Sequence, residues 1–62
     1  MLIFTDVKAR ELKIGDVMLF AGLQQTIVEI EEPILSPHDL FITLSIAGKG
    51  VWAKRDKVTL IK

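Results

Sequence analysis

The sequence predicts an all-β domain, specifically a small, partly open antiparallel barrel, and three observations lead to this prediction. Short runs of β-branched and aliphatic residues recur along the chain at similar spacing. Glycine-containing turns separate them, beginning with Gly15-Asp16 and then Gly22. Every second residue of 40–46 is Leu or Ile, which is the period-2 pattern of a half-buried strand.

Five or six short strands are expected along the chain. The first covers residues 2–4, and Thr5 or Asp6 then caps a brief helical turn through residues 7–12. The other strands are expected at residues 17–20, 24–32, 40–46, 51–54 and 58–61. Pro33 ends the longest strand because proline cannot donate to a strand ladder. A tight turn at residues 47–50 contains two glycines that tolerate positive φ.

A chain of 62 residues makes a single domain, residues 1–62, and so many short strands fit few arrangements. The simplest is a partly open barrel of the SH3 type, with an OB-type barrel as the alternative. Alternation predicts a core made of Val17, Leu19, Val28, Ile30, Ile42, Leu44, Val51, Val58 and Leu60. The apolar residues expected to face outward are Met18, Phe20, Ile27, Phe41 and Trp52.

Composition excludes several classes of protein. There is no cysteine, so neither a disulfide framework nor a thiolate zinc site is available. The hydrophobic share of 50%, mostly aliphatic, favours self-association of such a small domain. No apolar run approaches the roughly 18 residues that span a bilayer, and Asp6 follows the apolar start too closely for a signal peptide. We therefore expect a cytoplasmic protein without a membrane partner.

Charge is balanced overall but divided along the chain. Residues 14–39 carry five acidic and no basic side chains, whereas residues 40–62 carry five basic side chains and only one acidic. One interpretation is pairing of opposite charges across neighbouring strands. The other is a basic face that meets phosphate, or a head-to-tail contact between subunits.

No residue pattern indicates catalysis, a metal site or a cofactor, and we expect a non-enzymatic protein. Ser36 and His38 lie two apart in a loop, but no third group is placed to orient the histidine as a base. One histidine with scattered carboxylates is too little for a tetrahedral metal site. Gly48-Lys49-Gly50 lacks the upstream glycine and the following Ser or Thr of a phosphate-binding loop.

Surface recognition is the function that remains. If Val51 faces inward, alternation turns Trp52 outward beside Phe41 and next to several cations. The candidate binding residues are Phe41, Lys49, Trp52, Lys54, Arg55 and Lys57. Aromatic and basic side chains together are typical of protein interfaces and of single-stranded nucleic-acid sites. Because net charge is zero, we expect a protein partner or a homo-oligomer, with single-stranded RNA or DNA as the alternative. The competing structural interpretation is that Trp52 closes the open end of the barrel as part of the core.

The segment from Leu12 to Glu31 resembles SH3-like barrels of the KOW and translation-protein type. The resemblance is carried by residues 12–17, by Gly22 and by residues 27–30. It implies an SH3-like fold. In those proteins a basic, glycine-containing loop after the long strand reaches toward RNA, but the corresponding residues 31–39 contain no Lys, Arg or Gly. The resemblance therefore carries over no functional residue.

Overall fold

The computed structural model describes residues 2–62 and shows one antiparallel sheet of six strands. In chain order these are β1 Phe4–Lys8, β2 Val17–Phe20, β3 Leu23–Glu31, β4 Asp39–Leu44, β5 Gly48–Ala53 and β6 Lys57–Ile61, with a 3-10 turn at Ala9–Glu11. Neighbouring strands follow the order β1-β6-β2-β3-β4-β5. The sheet is not closed, because β1 and β5 form its two edges. The predicted all-β, partly open antiparallel barrel is confirmed. Residues 2–62 include no helix of the length and apolarity that a membrane crossing requires.

Local backbone chemistry explains the hairpins. Ala21 and Gly22, with φ of 54° and 76°, join β2 to β3, and positive φ at both central residues is what a type I′ hairpin requires. Gly48, with φ of 81°, follows the turn of residues 45–47 and starts β5. The turn predicted at residues 47–50 therefore lies earlier in the chain, and Gly50 belongs to β5.

The amino-terminal part differs from the prediction. Residues 4–8 pair with β6 over five register positions, so they are extended where a helical turn was expected to begin. The 3-10 turn covers only Ala9–Glu11, and the Glu11 carboxylate accepts a hydrogen bond from the Lys8 backbone N–H at 2.8 Å. Asp6 does not cap this turn; its carboxylate accepts a hydrogen bond from the Thr59 hydroxyl across the strand pair.

The longest strand, β3, joins the two halves of the sheet, which are β1-β6-β2 on one side and β4-β5 on the other. Its first part pairs with β2 and its second part with β4, and the register shifts between Ile27 and Glu29. Val28 is the extra residue of this bulge and is exposed. Because a bulge reverses the alternation, Ile27 faces the core before it, and half-buried Ile30 packs on the core after it.

The core lies between the two halves of the sheet and is formed by Ala9, Leu12, Met18, Ile27, Leu40, Ile42, Leu44, Val58 and Leu60. Four core predictions are confirmed, namely Ile42, Leu44, Val58 and Leu60. Leu19, Val28 and Val51 are exposed, so placing them in the core was wrong; Val17 and Ile30 are half-buried. Met18 and Ile27 were expected outside but are fully buried, whereas Phe20 is exposed as expected. The bulge in β3 explains the exchange of Ile27 and Val28. In β2 every residue is apolar, and in β5 Val51 and Trp52 are adjacent apolar residues, so alternation alone does not identify the buried face of either strand.

Candidate binding surfaces

The six predicted binding residues do not form one surface. Trp52 lies opposite the buried Leu40 in the β4–β5 register and packs against the core, so its outward placement was wrong. Phe41 lies opposite Val51, which is 63% exposed, and both face away from the core. The two aromatic side chains are therefore on opposite faces of the sheet.

Trp52 is half-buried against the core and has close neighbours on two sides. Its ring meets Phe20 edge-on, with ring centroids 5.5 Å apart and an interplanar angle of 67°. On the other side it covers Gly50, where a Cβ atom would lie only 2.7 Å from indole Cζ3. Glycine at position 50 is required by this close approach of the indole.

Gly50→Ala should therefore displace the indole and destabilise the protein by roughly 1–3 kcal/mol, as overpacking does. Trp52 is the only tryptophan, so a red shift of its fluorescence reports the displacement. The matched control is Gly50→Ala made in a Trp52→Leu background, where the new methyl group meets no ring and the cost should vanish. An unchanged spectrum and unfolding midpoint for Gly50→Ala would contradict this packing.

The outer face is the surface of β3, β4 and β5 that bears Phe41, Lys49 and Val51. Lys49 Nζ lies 5.0 Å from the centroid of the Phe41 ring, within cation–π range. The same nitrogen forms an ion pair with Glu31 Oε2 at 3.1 Å. Glu31 is opposite Phe41 in the β3–β4 register, so one aromatic ring is bordered by an acid and a base.

Pairing of opposite charges accounts for part of the division of charge along the chain. Besides Lys49 with Glu31, Lys54 Nζ lies 3.6 Å from Glu32 Oε2. Each pair joins the acidic segment to the basic segment, although β4 lies between β3 and β5. Both partners of the first pair and Glu32 of the second are exposed, while Lys54 is half-buried, and each pair contributes at most about 1 kcal/mol.

Next to the outer face, the loop between β3 and β4 carries an apolar tip, which we define as Ile34 and Leu35. A hydrogen bond from the Ser36 backbone N–H to the Pro33 carbonyl, at 3.3 Å, closes a turn with these two residues at its centre. Their side chains are 94% and 95% exposed. A shallow groove of about 600 Å³ runs along the tip and is lined by Glu31, Glu32, Pro33, Ile34, Leu35, Ser36 and Phe41.

The remaining predicted cations lie elsewhere. Lys54 and Arg55 line a cleft of about 430 Å³ together with Arg10, His38, Asp39 and Ala53, which we call the cationic cleft. Two backbone hydrogen bonds hold its walls together: the Lys54 N–H donates to the His38 carbonyl at 2.8 Å, and the Arg10 N–H donates to the Lys54 carbonyl at 3.2 Å. Lys57 lies beyond the cleft, opposite Lys8 in the β1–β6 register.

Sequence reasoning missed the apolar tip and Arg10. Turns usually carry Gly, Asn, Asp, Ser or Pro at their centres, so adjacent Ile34 and Leu35 between two prolines were a visible signal. Arg10 gave no comparable signal, because it is far in sequence from Lys54 and Arg55 and only the fold brings it to them.

Comparisons of this chain with protein-family models, curated proteins and solved structures found no match. The resemblance to SH3-like barrels of the KOW type accordingly stays a prediction.

Proposed function

We propose that this chain is a non-enzymatic, cytoplasmic binding module whose partner is another protein, and that the partner docks on the apolar tip and the adjacent outer face. The observation that carries the proposal is the tip itself. Two large aliphatic side chains are almost fully exposed to solvent at the centre of a turn, and the turn geometry does not require aliphatic residues there.

The surroundings of the tip fit a protein interface. Phe41 lines the same groove, so aliphatic and aromatic surface are continuous. Glu31 and Lys49 border the Phe41 ring and supply polar groups at the rim, as interfaces with an apolar centre do. Glu31 and Glu32 also line the groove, which disfavours docking on anionic lipid.

Single-stranded nucleic acid is the weaker candidate for this surface. Base stacking along a strand needs aromatic rings on one face, but Phe41 and Trp52 lie on opposite faces. Lys49, the cation beside the Phe41 ring, lies 3.1 Å from Glu31 Oε2, and this carboxylate competes with phosphate for it. Titration of a 3′-fluorescein-labelled, 5′-hydroxyl oligothymidine with the protein at physiological salt should leave the fluorescence anisotropy of the label unchanged. A micromolar response that weakens steeply as salt rises would favour nucleic acid instead.

Photo-crosslinking tests the proposed partner class directly. A photoreactive amino acid at position 35 should give an adduct with a different protein in the source cells. Position 46 is the matched control, because Ile46 is also an exposed aliphatic residue in a turn, the one between β4 and β5. Adducts only with a second copy of this chain would replace the proposal by self-assembly. Equal adducts from both positions, or none from position 35, would contradict it.

A further inference from the structure

We propose that the cationic cleft is a second binding site, separate from the apolar tip, and that it takes the terminal phosphate of a phosphate monoester. Its basic side chains and its histidine come from three parts of the fold: Arg10 from the 3-10 turn, His38 from the β3–β4 loop, and Lys54 and Arg55 from the β5–β6 turn. The inference does not depend on the identity of the protein partner.

The charge of the cleft matches a dianion. Three cations line the cleft, Arg10, Lys54 and Arg55, together with one acidic residue, Asp39. The nearby Asp56 does not line the cleft, and its carboxylate accepts a hydrogen bond from the Ala53 backbone N–H at 3.0 Å. A phosphate monoester carries a charge of about −1.5 to −2 at neutral pH, whereas a carboxylate or a backbone phosphodiester carries one. The monoester therefore matches the excess of cations best.

The donors in the cleft suit phosphate oxygens. Each arginine presents a planar fork of N–H groups that binds phosphate through two hydrogen bonds, and Lys54 adds a point charge. The backbone hydrogen bonds from Lys54 to His38 and from Arg10 to Lys54 fix the spacing of the three segments before any ligand arrives. Because these segments are already fixed, ordering them on ligand binding costs less free energy.

Lys54 is available to a ligand in spite of its partner. The distance from its Nζ to Glu32 Oε2 is 3.6 Å, and the Glu32 side chain is 71% exposed, so the pair is weak and opens readily. The cleft volume of about 430 Å³ falls within the range of small-molecule sites, roughly 300–1,000 Å³. This volume exceeds what a phosphate group fills, which leaves space for the organic group that carries it.

Adenosine 5′-monophosphate is a suitable probe, with adenosine, acetate and a 5′-hydroxyl oligothymidine as comparisons. The nucleotide should shift the backbone amide NMR signals of residues 10, 38, 54 and 55, and inorganic phosphate should shift the same signals. Arg10→Gln and Arg55→Gln should each weaken nucleotide binding roughly tenfold or more, since each removes charge-assisted hydrogen bonds. Lys62→Gln is the matched control: it removes the same charge beyond the far end of β6 and should leave the affinity unchanged.

Four results would overturn the inference. These are no amide shifts with either phosphate probe at millimolar concentration, equal binding of adenosine or acetate, tighter binding of the oligothymidine, and equal losses from Lys62→Gln and the arginine variants. The amide shifts also separate failure of this inference from failure of the proposed function, because an oligothymidine bound at the outer face would shift the signals of residues 41 and 49 rather than those of the cleft.

Discussion

Ile42→Ala should leave the protein largely unfolded. Ile42 is 0% exposed at the centre of β4, between Ile30 of β3 and Gly50 of β5 in the register. Truncation to alanine loses transfer free energy and leaves a cavity, at a cost of roughly 2–5 kcal/mol. A single core of this size supplies only about 3–5 kcal/mol in total, so little stability remains.

The matched control for Ile42→Ala is Val51→Ala. Val51 lies on the neighbouring strand but faces outward, so its truncation should cost less than about 1 kcal/mol. Urea unfolding followed by circular dichroism measures both variants. A wild-type midpoint for Ile42→Ala, or a larger loss for Val51→Ala, would show that the inner and outer faces of this part of the sheet are assigned incorrectly.

Gln25→Ala should have the second largest effect. Gln25 is 1% exposed, and its side-chain amide joins two hairpins: Nε2 donates to the Phe20 carbonyl at 3.0 Å, and Oε1 accepts from the Ala47 N–H at 2.8 Å. Alanine removes both hydrogen bonds and opens a small cavity, for a total of roughly 2–4 kcal/mol.

The neighbouring Gln24 provides the control for Gln25→Ala. Gln24 is exposed on the opposite side of β3, so Gln24→Ala should change the free energy of unfolding by less than about 0.5 kcal/mol. Hydrogen exchange gives a second readout, because the Ala47 amide should lose its protection in Gln25→Ala. Equal unfolding midpoints for the two variants would contradict a structural role for the buried amide.

The strands could be predicted from the sequence because glycine residues mark several of the turns between them. Gly15 and Gly22 adopt positive φ where the chain turns, and the predicted bounds of β2 agree with the structure. In β4, Ile42 and Leu44 alternate with Phe41 and Thr43, so the buried face of that strand was readable. Alternation identifies the buried face of a strand where that face is clearly the more apolar of the two.

The errors arose where that condition fails. All four residues of β2 are apolar, so nothing in the strand says that Met18 rather than Leu19 is buried. In β3 the bulge at Val28 reverses the alternation of inward and outward residues, and no nearby residue in the sequence indicates a bulge. Val51 and Trp52 are adjacent and both apolar, so the sequence does not show which of them faces the core. The choice of Val51 as the inward residue is what places Trp52 on the outer face in the prediction. The indication against that assignment was Gly50, which leaves space for the indole on the inner face.

The candidate site was less predictable than the fold because it depends on contacts between distant residues. Lys49 and Phe41 were correctly singled out as neighbours, and the structure places them in cation–π contact. Trp52 and Phe41 lie on opposite faces because Trp52 is paired with Leu40 and not with Phe41 in the β4–β5 register. The sequence alone does not show which residues of the two strands are paired. Arg10 joins Lys54 and Arg55 only through the pairing of the 3-10 turn with the β5–β6 turn.

The affinity of the purified partner obtained by crosslinking at position 35 tests the proposed interface most directly. The double variant Ile34→Ser/Leu35→Ser should fold as the wild type does, because both side chains are almost fully exposed. It should bind the partner at least about 30-fold more weakly, the loss expected for a central anchor worth about 2 kcal/mol. Ile46→Ser, which removes an exposed aliphatic side chain from the turn between β4 and β5, should bind as the wild type does. Wild-type affinity for the double variant, or an equal loss from Ile46→Ser, would contradict the assignment of the apolar tip as the binding surface.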